Sequence, residues 1–292
     1  MRKKGGTVML TKKLNNGVEM PMLGFGTYQV TDPEECKNSV LTAIRAGYRL
    51  IDTAVAYGNE DAVGAGIKAA IDEGIVKREE LFITTKMWFR AFETEDCRNA
   101  MEESLKKLGL EYIDMVLLHW PYGNVYAAWR VLEEYYEAGK INAIGVSNME
   151  ADRLIDLITF NKVKPALNQI ETHLYCQRLE EKTWLQKYEV AHQAYAPLGQ
   201  GRANEMFAEE TVKKIAEKYG KTPAQVLLRF LIQSDVAVIP KSVHEERIRE
   251  NIDIFDFELT SDDVDALKKL DKAVPMIGNP EDPDKVEFGM TW

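Results

Sequence analysis

Four side chains in the first 120 residues, Asp52, Tyr57, Lys86 and His119, are of types that together can move a proton. A free phenol titrates near ~10, which makes it a weak acid at neutral pH. A neighbouring ammonium favours the phenolate, so Lys86 is expected to bring Tyr57 down. Asp52 would keep that ammonium charged in a buried setting, and His119 would donate from its imidazole to a carbonyl oxygen and orient it. The set reads as an acid for protonating an alkoxide, and it needs no metal. Each member has a plainer alternative. Asp52 and Lys86 are also the makings of a buried ion pair, His119 of a satisfied core histidine, and Tyr57 of a loop cap. What favours chemistry is their falling on successive loops of one face.

That placement depends on the elements. Short apolar, β-rich runs occur at 22–25, 48–52, 81–85, 113–119, 143–146, 166–170, 190–195 and 236–239. Amphipathic stretches alternate with them at 33–46, 60–73, 95–108, 125–138, 151–160 and 179–187, then at 209–219 with 223–233, and at 245–251. A hairpin over 9–14 and 18–22, turning at Asn15-Asn16-Gly17, comes first. Thr31-Asp32-Pro33-Glu34 opens a helix, and Ala46-Gly47 and Ala138-Gly139-Lys140 close others. Eight strand–helix units with no linker-like break predict parallel strands in a (β/α)8 TIM barrel. An open doubly wound sheet is the rival, but the Gly-x-Gly-x-x-Gly turn after its first strand is missing. Residues 1–8 read as a leader without structural role and 9–292 as one domain. The turn-rich tail around Asn279-Pro280 is expected to run across the barrel surface.

In such a barrel functional side chains gather at the C-terminal ends of the strands. Those ends carry Asp52, Lys86, His119, Ser147-Asn148, Gln169, Tyr195 and Lys241. A formal net charge of -10 argues against general nucleic-acid binding. No apolar run approaches membrane-spanning length. Three widely spaced cysteines, Cys36, Cys97 and Cys176, form neither a disulfide framework nor a metal cluster, which points to a reducing cytoplasm.

The chain closely resembles the aldo-keto reductase family from Leu10 to Phe257. The likeness is carried, in order, by Gly24-Phe25-Gly26-Thr27, by Gly47 to Ala54 running on to Tyr57-Gly58-Asn59-Glu60, and by Thr84-Thr85-Lys86. Next come Leu118-His119-Trp120-Pro121, Gly139-Lys140 through Ile144 to Asn148, and Asn168-Gln169. Last are Tyr195 to Gly199, Ile239 to Val243, and Arg247 to Asn251. The resemblance implies a barrel closed at its base by the hairpin. It implies a tetrad of Asp52, Tyr57, Lys86 and His119, and NADP(H) as cofactor, with Gly26, Thr27 and Asp52 among the residues near it. By the same carry-over Ser147, Asn148 and Gln169 hold the carboxamide and Tyr195 stacks on the nicotinamide. The phosphates would lie along Pro197-Leu198-Gly199 to Gly201 and the last strand–helix loop, with Ala196 also among the cofactor contacts. Lys241, Ser242 and Arg247 offer what a ribose 2′-phosphate wants, Val243 stands beside them among the cofactor contacts, and Glu250 and Asn251 would face the adenine.

Only Tyr122-Gly123-Asn124 separates Trp120-Pro121 from the next helix, and the segment from Gln200 to Met206 is brief. That resembles the compact bacterial members and implies a shallow, open substrate site. Tyr28, Tyr57, Trp88, His119, Trp120 and the terminal Trp292 would line it, while Phe89 reads better as core. A small carbonyl compound is the expected partner and a monomer the expected state. Two rivals are an NADPH-binding redox sensor with negligible turnover and a Schiff-base aldolase using Lys86 or Lys241.

Overall fold

A computed structural model describes residues 10–291. Residues 1–8 of the expected leader, Met9 of the expected hairpin, and Trp292 lie outside them.

The expected hairpin is present as an antiparallel pair, β1 (Thr11–Lys13) and β2 (Glu19–Pro21). Eight parallel strands follow: β3 (Gly24–Gly26), β4 (Leu50–Asp52), β5 (Phe82–Met87), β6 (Ile113–Leu118), β7 (Ile141–Ser147), β8 (Leu167–Glu171), β9 (Ala191–Tyr195) and β10 (Ala237–Val238). β5 and β6 are buried along their whole length, as parallel strands covered on both faces must be. This is why β6 reads as a nearly continuous apolar run rather than an alternating one. The helices between them begin and end on the residues that mark them. Asp32 accepts the Glu35 amide at 2.8 Å to start Pro33–Ala46, and Gly47, at φ 112°, stops it.

The barrel closes where β3 meets β10. Leu23 bridges Val238, the Val238 amide donates to Met22 O at 2.8 Å, and the Gly26 amide donates to Pro240 O at 3.1 Å. A Cβ on Gly26 would lie 2.9 Å from Ile239 O, so closure requires glycine there. The hairpin turn caps the opposite end. Asn15 Nδ2 donates to Pro165 O at 2.8 Å and to Glu189 O at 3.2 Å, and Asn16 Nδ2 donates to Asn142 O at 2.9 Å. All three acceptors stand at strand beginnings, so the turn satisfies carbonyls at the base of the barrel.

Two helices near the C-terminus and one short one were not anticipated: Ala203–Phe207, Ser261–Lys268 and Pro283–Gly289. Each is too short for its periodicity to stand out, and each is held by distant partners. Thr260 and Asp263 form a capping box, and Asp263 also takes Lys218 at 2.8 Å and Tyr219 at 2.5 Å from the preceding helix pair. The tail is therefore more than a surface crossing. Tyr122 Oη donates to Pro280 O at 2.6 Å, and Gly289 packs on the Phe89 ring.

Candidate active site

Strand register brings the first pair together. Asp52 on β4 stands opposite Thr84 on β5, and Lys86, two residues on, points to the same side as Thr84. Lys86 Nζ lies 2.5 Å from Asp52 Oδ1, 2.9 Å from Thr53 O and 3.2 Å from Tyr57 Oη. Three acceptors match the three N–H groups of an ammonium, so the lysine is satisfied as a cation. Both partners are buried. Burial pushes the Asp52 carboxyl up and the Lys86 ammonium down, and their mutual attraction opposes both shifts.

Tyr57 ends a single 3-10 turn, Val55–Tyr57, closed by Gly58 at φ 64°. The turn is pinned by Asn59, which accepts from Thr53 Oγ1 at 2.9 Å and donates to Thr27 O and Val30 O at 3.0 and 3.1 Å. Glu60 fixes it to β5, accepting from Thr85 Oγ1 at 2.6 Å. Neither role was foreseen, although both residues lie within three positions of Tyr57. The expected lowering of the Tyr57 pKa is corrected by the structure. Burial first, and then the Asp52 charge, hold the phenol well above its usual value. The Lys86 ammonium is shared with Asp52, so little of its field is left to favour a phenolate. Tyr57 is thus a firmly protonated donor.

His119 follows β6 and meets Tyr57 edge-on at 5.7 Å and Trp88 edge-on at 5.2 Å. Burial, then the Lys86 charge, push its imidazole well below the usual value, so it is neutral and offers one N–H. Its Nδ1 has no hydrogen-bond partner among the described residues.

These groups open into one cavity of about 670 Å³ at the C-terminal ends of the strands. Of the expected residues, Gly26, Tyr28, Asp52, Tyr57, His119, Trp120, Asn148, Gln169 and Tyr195 face its inner part. Ala196, Pro197, Leu198, Gly201, Lys241, Ser242, Val243, Arg247, Glu250 and Asn251 line the rest. Five expected residues stand behind the wall. Lys86 lies under Tyr57, and Trp88 backs His119. Ser147 donates to Gln169 O at 2.8 Å, and Thr27 braces Asp52 O at 3.0 Å. Gly199 packs against Met206 and Met276.

Asn148, at φ 57°, is held from both ends of its amide, with a lone pair of Oδ1 still to spare. Its Nδ2 donates to His119 O at 3.0 Å, and its Oδ1 accepts from Tyr195 Oη at 2.7 Å. At the far end Lys241 and Arg247 pair with no carboxylate among the described residues, although neighbouring Arg249 is bound to Glu245 at 2.7 Å. Two unneutralised cations beside the Ser242 hydroxyl, on an acidic protein, fit a phosphate-bearing ligand.

The cavity also takes residues that sequence reasoning missed, among them Gln29, Phe207, His244 and Ile277. Ile277 arrives from the tail, where the buried Glu171 carboxylate accepts the amides of Met276 and Ile277 at 2.5 and 3.1 Å. Nothing local in the sequence marks that contact. Among the described residues no helix is long and apolar enough to cross a membrane. No cluster of His, Cys, Asp and Glu there could hold a metal.

Residues 22–272 match the model of the Aldo/keto reductase family. The glyoxal reductase of Bacillus subtilis (strain 168) is 44% identical over 273 residues, covering 93% of this chain and 96% of the relative. The structure of an aldo-keto reductase enzyme from a Medee basin deep-sea metagenome library superposes with a TM-score of 0.90 at 39% identity, covering 93% of this chain and 98% of that one. The Bombyx mori aldo-keto reductase, solved in complex with NADP, gives 0.88 at 34% identity, covering 96% and 97%. The chain belongs to the aldo/keto reductase family.

Proposed function

We propose that this family member reduces aldehydes and ketones, small dicarbonyl compounds and keto-sugars included, to alcohols with NADP(H) as cofactor. One observation carries the proposal: a single cavity joins the Tyr57–His119 pair to the unpaired cations Lys241 and Arg247. Likeness to the Bacillus glyoxal reductase supports the dicarbonyl end of that range. Lys241, Ser242 and Arg247 would hold the 2′-phosphate end, Ala196 to Gly201 the pyrophosphate, and Gln169, Asn148 and Tyr195 the nicotinamide. When bound, NADPH supplies the hydride that reduces the carbonyl carbon.

The chain supplies the rest. Tyr57 gives its phenolic proton to the oxygen that becomes the alcohol. An alkoxide is a far stronger base than a phenolate, so the transfer runs downhill even from a phenol held above its usual value. Lys86 then donates to the phenolate left behind, and Asp52 keeps the ammonium charged. Neutral His119 orients the carbonyl oxygen without competing for the proton. The aromatic walls of Tyr28 and Trp120 grip apolar substituents with little discrimination. Three buried free thiols, Cys36, Cys97 and Cys176, fit a reducing, cytoplasmic compartment. A monomer suffices, since every group named comes from one chain.

The test is NADPH oxidation with a panel of aldehydes, dicarbonyls and keto-sugars, with NADH and Tyr57→Phe as controls. Tyr57-dependent turnover that prefers NADPH is expected. Tight NADPH binding with no turnover on any carbonyl would replace this reading with that of a redox sensor.

A further inference from the structure

Beneath the cavity the barrel interior holds a polar side chain that the steps above leave unused. Gln193 on β9 is 1% exposed and stands beside Gln169 of β8 in the strand register. Gln169 Nε2 donates to Asp52 Oδ2 at 2.8 Å and to Gln193 Oε1 at 2.7 Å. A carboxylate only accepts, so the part of the Gln169 amide that faces Asp52 is its NH2. The second N–H then points at Gln193, which must answer with its carbonyl oxygen. One bond to Asp52 alone would let the Gln169 amide swivel, whereas two acceptors fix its plane. Both amide protons are spent, and the Gln169 carbonyl oxygen is left for the cavity that this residue lines.

Gln193 gains nothing else from its position. Its own Nε2 is buried with no hydrogen-bond partner among the described residues. An apolar side chain of the same size would fill the space without stranding a donor. A polar group kept at such a cost calls for a use, and among the described residues the only bond its side-chain amide makes is the one to Gln169.

We propose that Gln193 is a positioning residue. By accepting the second Gln169 N–H, it holds the Gln169 carbonyl oxygen toward the cavity, ready for an N–H of a primary carboxamide. This rests on the reading above that the nicotinamide end of NADP(H) occupies the inner cavity.

The test measures dissociation constants for NADPH and for adenosine 2′,5′-bisphosphate, which carries the phosphate end of the cofactor and no carboxamide. The wild type is compared with Gln193→Met, Gln193→Leu, Gln193→Glu, Gln169→Met and the double variant Gln169→Met/Gln193→Met. Losing one buried hydrogen bond should raise the NADPH constant of Gln193→Met and Gln193→Leu about threefold to tenfold. The bisphosphate constant should not move. Gln193→Glu, which presents an acceptor oxygen in either protonation state, should return NADPH affinity to within about twofold of the wild type. In the Gln169→Met background, Gln193→Met should add nothing.

Weakening of both ligands together, additive effects in the double variant, or no rescue by Gln193→Glu would overturn the proposal. So would unchanged NADPH affinity in Gln193→Met beside a weakened Gln169→Met, and that outcome leaves the carboxamide reading standing. A Gln169→Met variant that binds NADPH like the wild type overturns both.

Discussion

Replacing Lys86 by Met removes an ammonium that is 0% exposed, and leaves Asp52, 2% exposed by side chain, facing a thioether. Breaking a buried pair from one side costs about 3–5 kcal/mol, because the surviving charge stays desolvated without its partner. No discount for solvent screening applies at this depth. Asp52 would keep Gln169 as a donor, while Thr53 O and Tyr57 Oη would each lose one. At roughly 2 °C per kcal/mol for a chain of this size, the melting temperature at pH 7 should fall by about 6–10 °C. The deficit should also depend on pH. With Lys86 gone, the Asp52 carboxyl moves further above its unfolded value of about 3.9, so the folded state holds a proton that the unfolded state has released. Stability then falls as pH rises, by up to about 1.4 kcal/mol per pH unit, and levels off above the folded pKa. Below about pH 4 both states are protonated and this part of the penalty vanishes. Lys86→Met/Asp52→Asn, with no buried charge, should recover most of the stability and lack that slope. Activity should stay down about 100-fold to 10,000-fold in both variants, because Tyr57 has lost its donor. Thermal denaturation from pH 4 to 9 with NADPH-coupled turnover is the assay. A single variant within about 1 kcal/mol of wild type at pH 7, or no slope against the double, would refute the buried-pair argument.

Tyr57→Phe should lower turnover by about 100-fold to 10,000-fold, with NADPH affinity nearly unchanged in a fluorescence titration. A comparable loss of affinity would mean that Tyr57 binds cofactor rather than donating the proton. Arg247→Ala should weaken NADPH about tenfold to 100-fold, and NADH hardly at all, if the guanidinium meets the 2′-phosphate. Equal losses for the two cofactors would move the phosphate elsewhere. At Asp263, burial alone would raise the carboxyl, but hydrogen bonds from Lys218, Tyr219 and Thr260 outweigh it and hold the group well below its usual value. That stabilisation is present above the unfolded value and is lost as pH falls toward the folded one. Asp263→Asn should therefore cost about 1–2 kcal/mol at pH 7, part of it screened because Lys218 is half exposed, with the difference from wild type shrinking below about pH 4. A gap that persists in acid would assign the effect to shape rather than charge.

How far the molecule can be read from its sequence differs from one residue to the next. The helix Pro33–Ala46 begins and ends where Asp32 and Gly47 say it should, because capping is decided within one turn. β6 is legible because both faces of a parallel strand are buried and its residues are all apolar but one. Ser261–Lys268 carried a readable capping box at Thr260 and Asp263. Its eight residues were still too few to show a period, and Lys218 and Tyr219, which hold it, lie more than forty residues away. Among site residues, Asp52, Lys86, His119 and Gln169 were found by counting strand ends. Ile277 could not be, since its amide is held at the cavity by the Glu171 carboxylate, 106 residues earlier.

The sequence alone determines the alternation of elements, and hence the barrel, and it determines which side chains stand at the strand ends. Both follow from local period, caps and turn residues. Only the tertiary structure decides what those side chains are worth. Whether Tyr57 is lowered by Lys86 or raised by burial depends on how much water the whole barrel excludes, and on the ammonium being shared with Asp52. Whether Gln193 is filler or a brace for Gln169 depends on a register between two strands. Desolvation and cross-strand contact are sums over residues far apart in the chain, and no window of sequence contains them.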